Sequence, residues 1–138
     1  MSTINLSALK STTASTPPTM QSRDGVDRGK FCRAWVSFGR NLGDATQYEI
    51  MSHFNVLAVE DTAAGQFTIQ FKNAMPTNRF AIAGTASQTT DQVMHMCLNE
   101  TNAGTPTMTT TSVNIRTAVA DCADSDPNYV CVYAYGDT

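Results

Sequence analysis

The sequence contains residue types that bind metals, but their spacing is not that of a metal site. The two histidines, His53 and His95, lie in "IMSHF" and "VMHMC". A zinc site needs three or four ligands with organised spacing, and the chain has neither a CxxC nor an HxxxH pattern. In a strand, His95 and Cys97 share one face, while Met94 and Met96 share the other. We therefore expect structural or interface histidines rather than metal ligands.

The nucleophiles and carboxylates also fail to form a catalytic pattern. Ser52 and His53 are adjacent, so in a strand they point to opposite faces and cannot act as a nucleophile–base pair. No GxSxG elbow, P-loop or GxGxxG is present. The aspartates lie in or near predicted turns, which they favour by bonding to their own backbone. The segment "DCADSDP" lacks the ordered spacing of a calcium loop. The sequence therefore predicts no enzyme and no cofactor.

The four cysteines are Cys32, Cys97, Cys122 and Cys131. The N-terminus lacks the basic and apolar regions of a signal peptide, so we expect folding in a cytoplasm and reduced thiols. Small buried hydrophobic side chains are the expected role for these residues. A disulfide between Cys122 and Cys131 across the last hairpin stays open, because strand register cannot be read from one sequence.

Composition restricts the class of protein. The chain has 138 residues, a net charge of -3, 41% hydrophobic residues and 15% charged residues. That length suits one domain and a tail, and the charged fraction lies below the usual quarter. An acidic balance without basic clusters argues against nucleic acid as a partner. No run of about 18 apolar residues is present, so no membrane segment is expected.

Residues 1–30 predict an extended N-terminal arm rather than a domain. They are rich in Ser, Thr, Pro and Gly, and Pro17-Pro18 favours an extended backbone. Two interpretations stay open for this arm. It is a disordered tail in a free monomer, or it orders by placing Ile4, Leu6 and Leu9 on a neighbouring subunit or a larger surface.

Residues 31–138 predict an all-β domain. Seven or eight short segments alternate apolar and polar residues between turn signals, and no long helical period occurs. In "QFTIQF", for example, Phe67, Ile69 and Phe71 point one way, after a hairpin turn at Gly65. The segment "TQYEIMSHFNV" predicts Tyr48 and Phe54 on one common face. This pattern favours an antiparallel β-sandwich, with a small barrel as the alternative.

The first and last predicted strands each have a second face with apolar or aromatic residues that another layer of protein could cover. In "GKFCRAWVSF", Ala34 and Val36 fall on one face, while Arg33 and Trp35, the only Trp, fall on the other. The last strand, "YVCVYAYG", is apolar on both faces. Either a second layer of the same chain covers these faces, or another chain does.

The order of these motifs resembles a module that is widespread in tailed-bacteriophage virion proteins. The module has a Lys/Arg-Ala-Trp strand, a "Ser-(aromatic)-Asn-Val" strand, a hairpin ending in "Phe-Thr-Ile-x-Phe", then "Ala-Met-Pro", and a late "(aromatic)-Gly-Asp". The resemblance covers residues 17–138, apart from the loop "GRNLGDATQ", where Gly-Thr-rich sequence is usual. The matching residues are Arg33, Ala34, Trp35, Phe54, Asn55, Val56, Phe67, Ile69, Phe71, Ala74, Met75, Pro76, Tyr135, Gly136 and Asp137.

The resemblance implies a homotrimer with a role in adsorption, since the module usually ends tail-fibre or tailspike chains. With only about 30 residues ahead of the sandwich, we expect a homotrimeric capsid decoration (cement) protein on the virion, assembled in the host cytoplasm. Its partners would be the major capsid protein and, at its loops, a host cell-surface glycan or protein. The expected interface residues are Ile4, Leu6, Leu9, Arg33 and Trp35. The alternatives are a receptor-binding tip module of a tail fibre or tailspike and, from a different class, a small glycan hydrolase, for which no carboxylate pair is evident.

Overall fold

The computed structural model describes residues 19–21, 27–30, 32–41, 43–44, 47–88, 94–99, 107–121 and 123–136. All regular elements of these residues are strands. In chain order they are β1 (Thr19–Gln21), β2 (Asp27–Lys30), β3 (Ala34–Arg40), β4 (Tyr48–Phe54), β5 (Val56–Ala63), β6 (Gln66–Phe71), β7 (Phe80–Ser87), β8 (Met94–Leu98), β9 (Ser112–Val119) and β10 (Tyr129–Gly136).

Eight of the strands form two four-stranded antiparallel sheets. Sheet I has the order β4-β3-β10-β7, and sheet II has the order β5-β6-β9-β8. Alternating side chains give each central strand one apolar face, and the two apolar faces pack against each other. The predicted antiparallel β-sandwich is therefore confirmed.

The central strands supply most of the core. In β6 the burial alternates along the strand, so Phe67, Ile69 and Phe71 point inward, as the sequence predicts. The ring centroid of Phe67 lies 5.1 Å from that of Phe38 on β3, in an edge-to-face arrangement that favours aromatic packing. The other buried core residues are Ala34, Val36, Val56, Met75, Phe80, Val113, Ile115, Val130, Val132 and Ala134.

A sharp corner at Asn55 carries the chain from sheet I to sheet II. Asn55 has φ 55°, a left-handed conformation that Asn tolerates better than most residues. Its Nδ2 donates to the carbonyl oxygens of Arg33 and Asn73, at 3.1 and 3.2 Å. Its Oδ1 accepts from the backbone N–H and the side-chain amide of Asn73, at 2.8 and 3.0 Å. One side chain thus holds β3, the corner and the segment after β6 together.

Two predicted turns are confirmed. The β5–β6 hairpin turns at Ala64 and Gly65, where Gly65 has φ +67° and a Cβ would lie 2.5 Å from the carbonyl oxygen of Thr117. Only glycine fits that conformation and that contact. The segment "NAMPTN" separates β6 from β7, and Met75 within it is buried beneath the core.

The prediction that Tyr48 and Phe54 lie on one common face of a strand is wrong. Tyr48 pairs with Arg40, whereas Phe54 pairs with Trp35, and the register shifts between Ser37 and Phe38. This β-bulge inserts one extra residue into β4, so the alternation reverses along the strand. Tyr48 consequently packs into the core, 4.8 Å from Phe67 between ring centroids, and Phe54 points outward.

Part of the predicted arm forms regular structure. Thr19–Gln21 and Asp27–Lys30 pair as a two-stranded antiparallel sheet. The boundary between residues 30 and 31 stays a prediction. Ile4, Leu6 and Leu9 lie outside the described residues.

The cysteines differ from the expectation of burial. Cys97 is exposed, because it points outward from β8, an edge strand of sheet II, and Cys32 and Cys131 are half-buried. All three are free thiols, so Cys131 does not form the hairpin disulfide that the sequence leaves open. Cys122 lies outside the described residues. Burial raises the pKa of the Cys32 thiol, which donates to the carbonyl oxygen of Ala34 at 2.9 Å.

Candidate interaction face

The outer face of sheet I carries a row of aromatic side chains across neighbouring strands. In the strand register, Phe54 on β4 lies opposite Trp35 on β3, Trp35 lies opposite Tyr133 on β10, and Tyr133 lies opposite Ala83 on β7. Phe54 is 54% exposed and Tyr133 is 38% exposed, while Trp35 is half-buried between them. We call the outward side chains of sheet I the aromatic face.

The central strand β10 forms a ridge on this face. Tyr129, Tyr133 and Tyr135 are all exposed, since their neighbours Val130, Val132 and Ala134 point into the core.

Cys131 lies within this ridge. The hydroxyls of Tyr129 and Tyr133 both lie 3.6 Å from the Cys131 Sγ. Hydrogen bonding to Cys131 and the electrostatic interaction with it raise the pKa of Tyr133. The ridge thus presents aromatic rings with polar tips.

The edge strand β7 forms a low strip beside the ridge. Its outward residues are small and exposed, and each lies opposite one residue of β10. Ala81 lies opposite Tyr135, Ala83 opposite Tyr133, and Ser87 opposite Tyr129. The aromatic face thus has a step from tall to short side chains.

Charge is confined to the margins of the aromatic face. Glu49 lies at one end, opposite Gly39, where Met51 also packs over the glycine. Arg33 lies just before β3 at the other end of sheet I, where its Cδ is 3.5 Å from the position of a Cβ on Gly136. The middle of the face, among the described residues, consists of aromatic, small and hydroxyl side chains.

The outer face of sheet II has the opposite character. Gln70 donates to Glu60 at 2.6 Å, Thr68 to Asn114 at 3.0 Å, and Gln66 to Asp124 at 2.9 Å. Arg116 forms an ion pair with Asp124. Burial alone would raise the pKa of Asp124, but the bonds from Gln66 and Arg116 lower it. These polar side chains bond to one another and to Asp124 in the segment after β9, so this face suits contact with water.

A polar cluster closes one end of the sandwich. Asp126 accepts from the backbone N–H of Gly65 at 2.6 Å and lies 3.6 Å from the guanidinium of Arg40. Tyr48 donates to the carbonyl oxygen of Pro127 at 2.9 Å. Burial, with a contribution from Asp126, raises the pKa of Asp61 nearby. These contacts tie the β5–β6 turn to the segment before β10.

The structure brings together only part of the predicted interface. Trp35 lies in the middle of the aromatic face and Arg33 at its margin. Phe54, Tyr129 and Tyr133 are exposed on the same face but are not among the residues predicted for the interface. For the tyrosines, the signal was the alternation of "YVCVYAYG", whose second apolar face is the exposed ridge.

Other features of the described residues offer no enclosed site. His53 and His95 are exposed on edge strands of different sheets. The described residues hold no group of three or more His, Cys, Asp or Glu placed to bind a metal ion. In the described part of the chain, no helix has the length and hydrophobicity needed to cross a membrane. An apolar cavity between the sheets, near Val36 and Ile69, has a volume of about 10 Å³, which suits at most one water molecule.

Comparison with known proteins yields one structural likeness. No family model matches the chain, and no curated protein matches it. Among solved structures, the chain is similar to the tailspike of phage phiAB6, determined in complex with three-repeat oligosaccharides of Acinetobacter baumannii surface polysaccharide. The identity is 14% and the TM-score is 0.42, over 99% of this chain and 31% of the tailspike chain. The chain therefore spans about a third of the length of that tailspike.

Proposed function

We propose that this chain is a virion surface protein of a tailed bacteriophage: a homotrimeric decoration protein that binds the major capsid protein and stabilises the head. The observation that carries the proposal is the aromatic face, whose middle carries no charge, on a chain whose motifs follow the order of the phage virion module. Contiguous exposed apolar surface on a small domain marks a contact with another protein. The proposed role involves no catalytic step.

The motifs that resemble the virion module fall at positions that build the sandwich and its aromatic face. Trp35 lies at the centre of the face, and Asn55 forms the corner between the sheets. Ile69 and Met75 both lie in the core. The module pattern therefore describes this architecture rather than a catalytic site, which supports a structural role.

The mechanism is mechanical. Each trimer would bridge neighbouring capsid subunits through several modest contacts. Because one protomer's contact raises the effective concentration of the others, such a trimer binds far more tightly than one protomer alone. The N-terminal arm, residues 1–30, would add an ordering contact on the capsid. Together these links would resist the outward pressure of packaged DNA.

Imaging of virions tests the proposal. We would compare particles of the encoding phage, with this gene intact or deleted, by cryo-electron microscopy. The expected result is trimeric density in many copies on the head, lost on deletion and restored by adding purified protein. Deleted heads should release DNA at a lower temperature. Absence of the protein from the particle would overturn the proposal.

A receptor-binding tip module is the second candidate. It is favoured by the usual place of the module at the end of fibre chains, and by the exposed tyrosines, whose rings and hydroxyls also suit a saccharide. Density at the tail in a few copies, with the head unaffected by deletion, would select this candidate. Depolymerised host polysaccharide after incubation with purified protein would instead require the hydrolase hypothesis.

A further inference from the structure

Met96 reaches from the edge strand of one sheet to the edge strand of the other. It lies on β8, at the edge of sheet II, and contacts Gly84 on β7, at the edge of sheet I. We propose that Met96 is an oxidation site: a peroxide converts its thioether to a sulfoxide, and the sulfoxide leaves its place between the sheets. This inference goes beyond the proposed function and does not depend on it, because it rests on contacts within one chain.

The absence of a side chain at Gly84 makes room for Met96. A Cβ at that position would lie 2.7 Å from the Met96 Sδ and 2.8 Å from its Cε, distances at which one of the groups has to move. The same Cβ would collide with the carbonyl oxygen of Cys131 on β10. We call this space above Gly84 the glycine notch. The end of the Met96 side chain fills the notch, so an oxygen atom added on that side of the sulfur has no room.

The side chains around the glycine notch are apolar. Ile82 and Ala86 flank Gly84 on the inward side of β7, and both pack against the hydrophobic core, as Met96 does. An uncharged thioether suits this environment, whereas a polar sulfoxide does not. Met96 is only half-buried, so we expect a small oxidant in the solvent to reach its sulfur.

The hydroxyl opposite Met96 already has its partners. Thr117 on β9 lies opposite Met96 in the strand register and is fully buried. Its Oγ1 donates to the carbonyl oxygen of Ser125 at 2.8 Å and to that of Gly65 at 3.2 Å. A sulfoxide oxygen would have to take the Thr117 proton from those carbonyls or remain without a partner.

The proposed step transfers one oxygen atom from a peroxide to Met96. A lone pair of the Sδ attacks one peroxide oxygen, an S–O bond forms, and the O–O bond breaks. With hydrogen peroxide, the departing hydroxide takes the remaining proton and leaves as water, so the sulfur is oxidised and the peroxide is reduced by two electrons. The polar product turns into the solvent, because a buried polar group without a partner costs free energy.

Loss of Met96 from the glycine notch should loosen β8. Among the described strands, this edge strand pairs with β9 alone. Two of its side chains, Met96 and Leu98, pack against the core. Oxidation would remove one of these anchors, and reduction of the sulfoxide by methionine sulfoxide reductases would restore it.

Met51 provides a matched control on the same chain. Its Cε lies 2.8 Å from the position of a Cβ on Gly39, so it too packs over a glycine, but it is 52% exposed. A sulfoxide at Met51 can therefore face water without leaving its place. We would treat the wild type, Met96→Leu and Met51→Leu with hydrogen peroxide, locate the sulfoxides by peptide mass spectrometry and measure the Tm.

We expect peroxide to lower the Tm of the wild type and of Met51→Leu by about 5 °C or more, and that of Met96→Leu by less than half as much. Methionine sulfoxide reductases should restore the wild-type Tm, which separates this loss from oxidation of the thiols. Hydrogen exchange at the β8 amides should be faster in the oxidised wild type. This last measurement needs no variant, so it decides the matter if Met96→Leu does not fold.

Three results would overturn the inference. The first is a Met96 that stays reduced while Met51 is fully oxidised. The second is a Met96 sulfoxide with an unchanged Tm and unchanged hydrogen exchange in β8. The third is an equal loss of Tm in Met96→Leu and in the wild type. None of these results bears on the decoration role, which the imaging of virions tests.

Discussion

Asn55 shows how one residue determines the path of the chain between two sheets. Its positive φ and its four side-chain hydrogen bonds join Arg33, Asn73 and the corner. The alternation in "TQYEIMSHFNV" predicts Asn55 within a continuous strand. Nothing in the alternation of "SHFNVLAVED" reveals the break, although Asn is the residue type that most readily adopts this conformation after Gly.

Asn55→Ala should therefore destabilise the fold. The variant loses the hydrogen bonds and keeps a strained backbone, which together cost about 3 kcal/mol. Chemical denaturation measures this loss. Asn55→Gly, which keeps the backbone conformation and loses only the bonds, is the control and should cost less. Equal stability of wild type and Asn55→Ala would mean that the corner is held by its neighbours.

The raised pKa of Asp61 implies that the stability of the fold depends on pH. Burial and the nearby Asp126 raise its pKa, so the folded state binds the proton more tightly than the unfolded state does. This contribution to the unfolding free energy is greatest below the unfolded pKa of about 3.9 and is lost as pH rises through the folded pKa.

Asp61→Asn should accordingly raise the Tm at pH 7 and have no effect at about pH 3. Asp124→Asn should lower the Tm at pH 7. The fold lowers the pKa of Asp124, so folding stabilises its charged form, which the variant lacks. Calorimetry at the two pH values measures both. A lower Tm for Asp61→Asn at pH 7 would show that its attraction to Arg40 outweighs burial.

At the scale of elements, strand facing was predictable where a strand is regular. The alternation in β6 correctly places Phe67, Ile69 and Phe71 in the core. It fails in β4, because a bulge reverses the facing and no residue type in "EIMSHF" marks the bulge. Strand order was also beyond prediction, since it depends on pairings between distant segments.

Ile69 of β6 points into the core, so a charged substitution at this position should disrupt the fold. Ile69→Asp buries a carboxylate at a position that is 1% exposed, which costs on the order of 4 kcal/mol and should cause misfolding. Thr68→Asp is the matched control, because the adjacent side chain points outward and bonds to Asn114. Circular dichroism and solubility measure the outcome. A soluble Ile69→Asp protein with normal melting would contradict the assigned facing.

At the scale of the whole molecule, the two sheets present different outer surfaces. One is aromatic and the other is a network of hydrogen-bonded polar side chains. The sequence predicted an apolar second face on β10, but only the strand register shows that Trp35, Phe54 and Tyr133 form one row. The sequence thus predicts only part of the candidate site, because the residues of the site come from three separate strands whose pairing the sequence does not reveal.

Removal of residues 1–18 tests the contribution of the arm to capsid binding. The truncated chain retains β1 to β10, so it should fold and form trimers like the full chain. We expect weaker attachment to heads that lack this protein, measured as the concentration needed for half-saturation. The full-length chain is the control. Saturation of heads at the normal concentration would show that the arm makes no contribution.

The position of β10 affects how the protein is made. This last strand lies between β3 and β7, and it pairs with β3 through residues about a hundred positions earlier in the chain. Sheet I therefore cannot close until Tyr129–Gly136 has left the ribosome, whereas β5, β6 and β9 can pair earlier in synthesis. A nascent chain that stalls before Tyr129 would expose the apolar faces of β3 and β7 to aggregation.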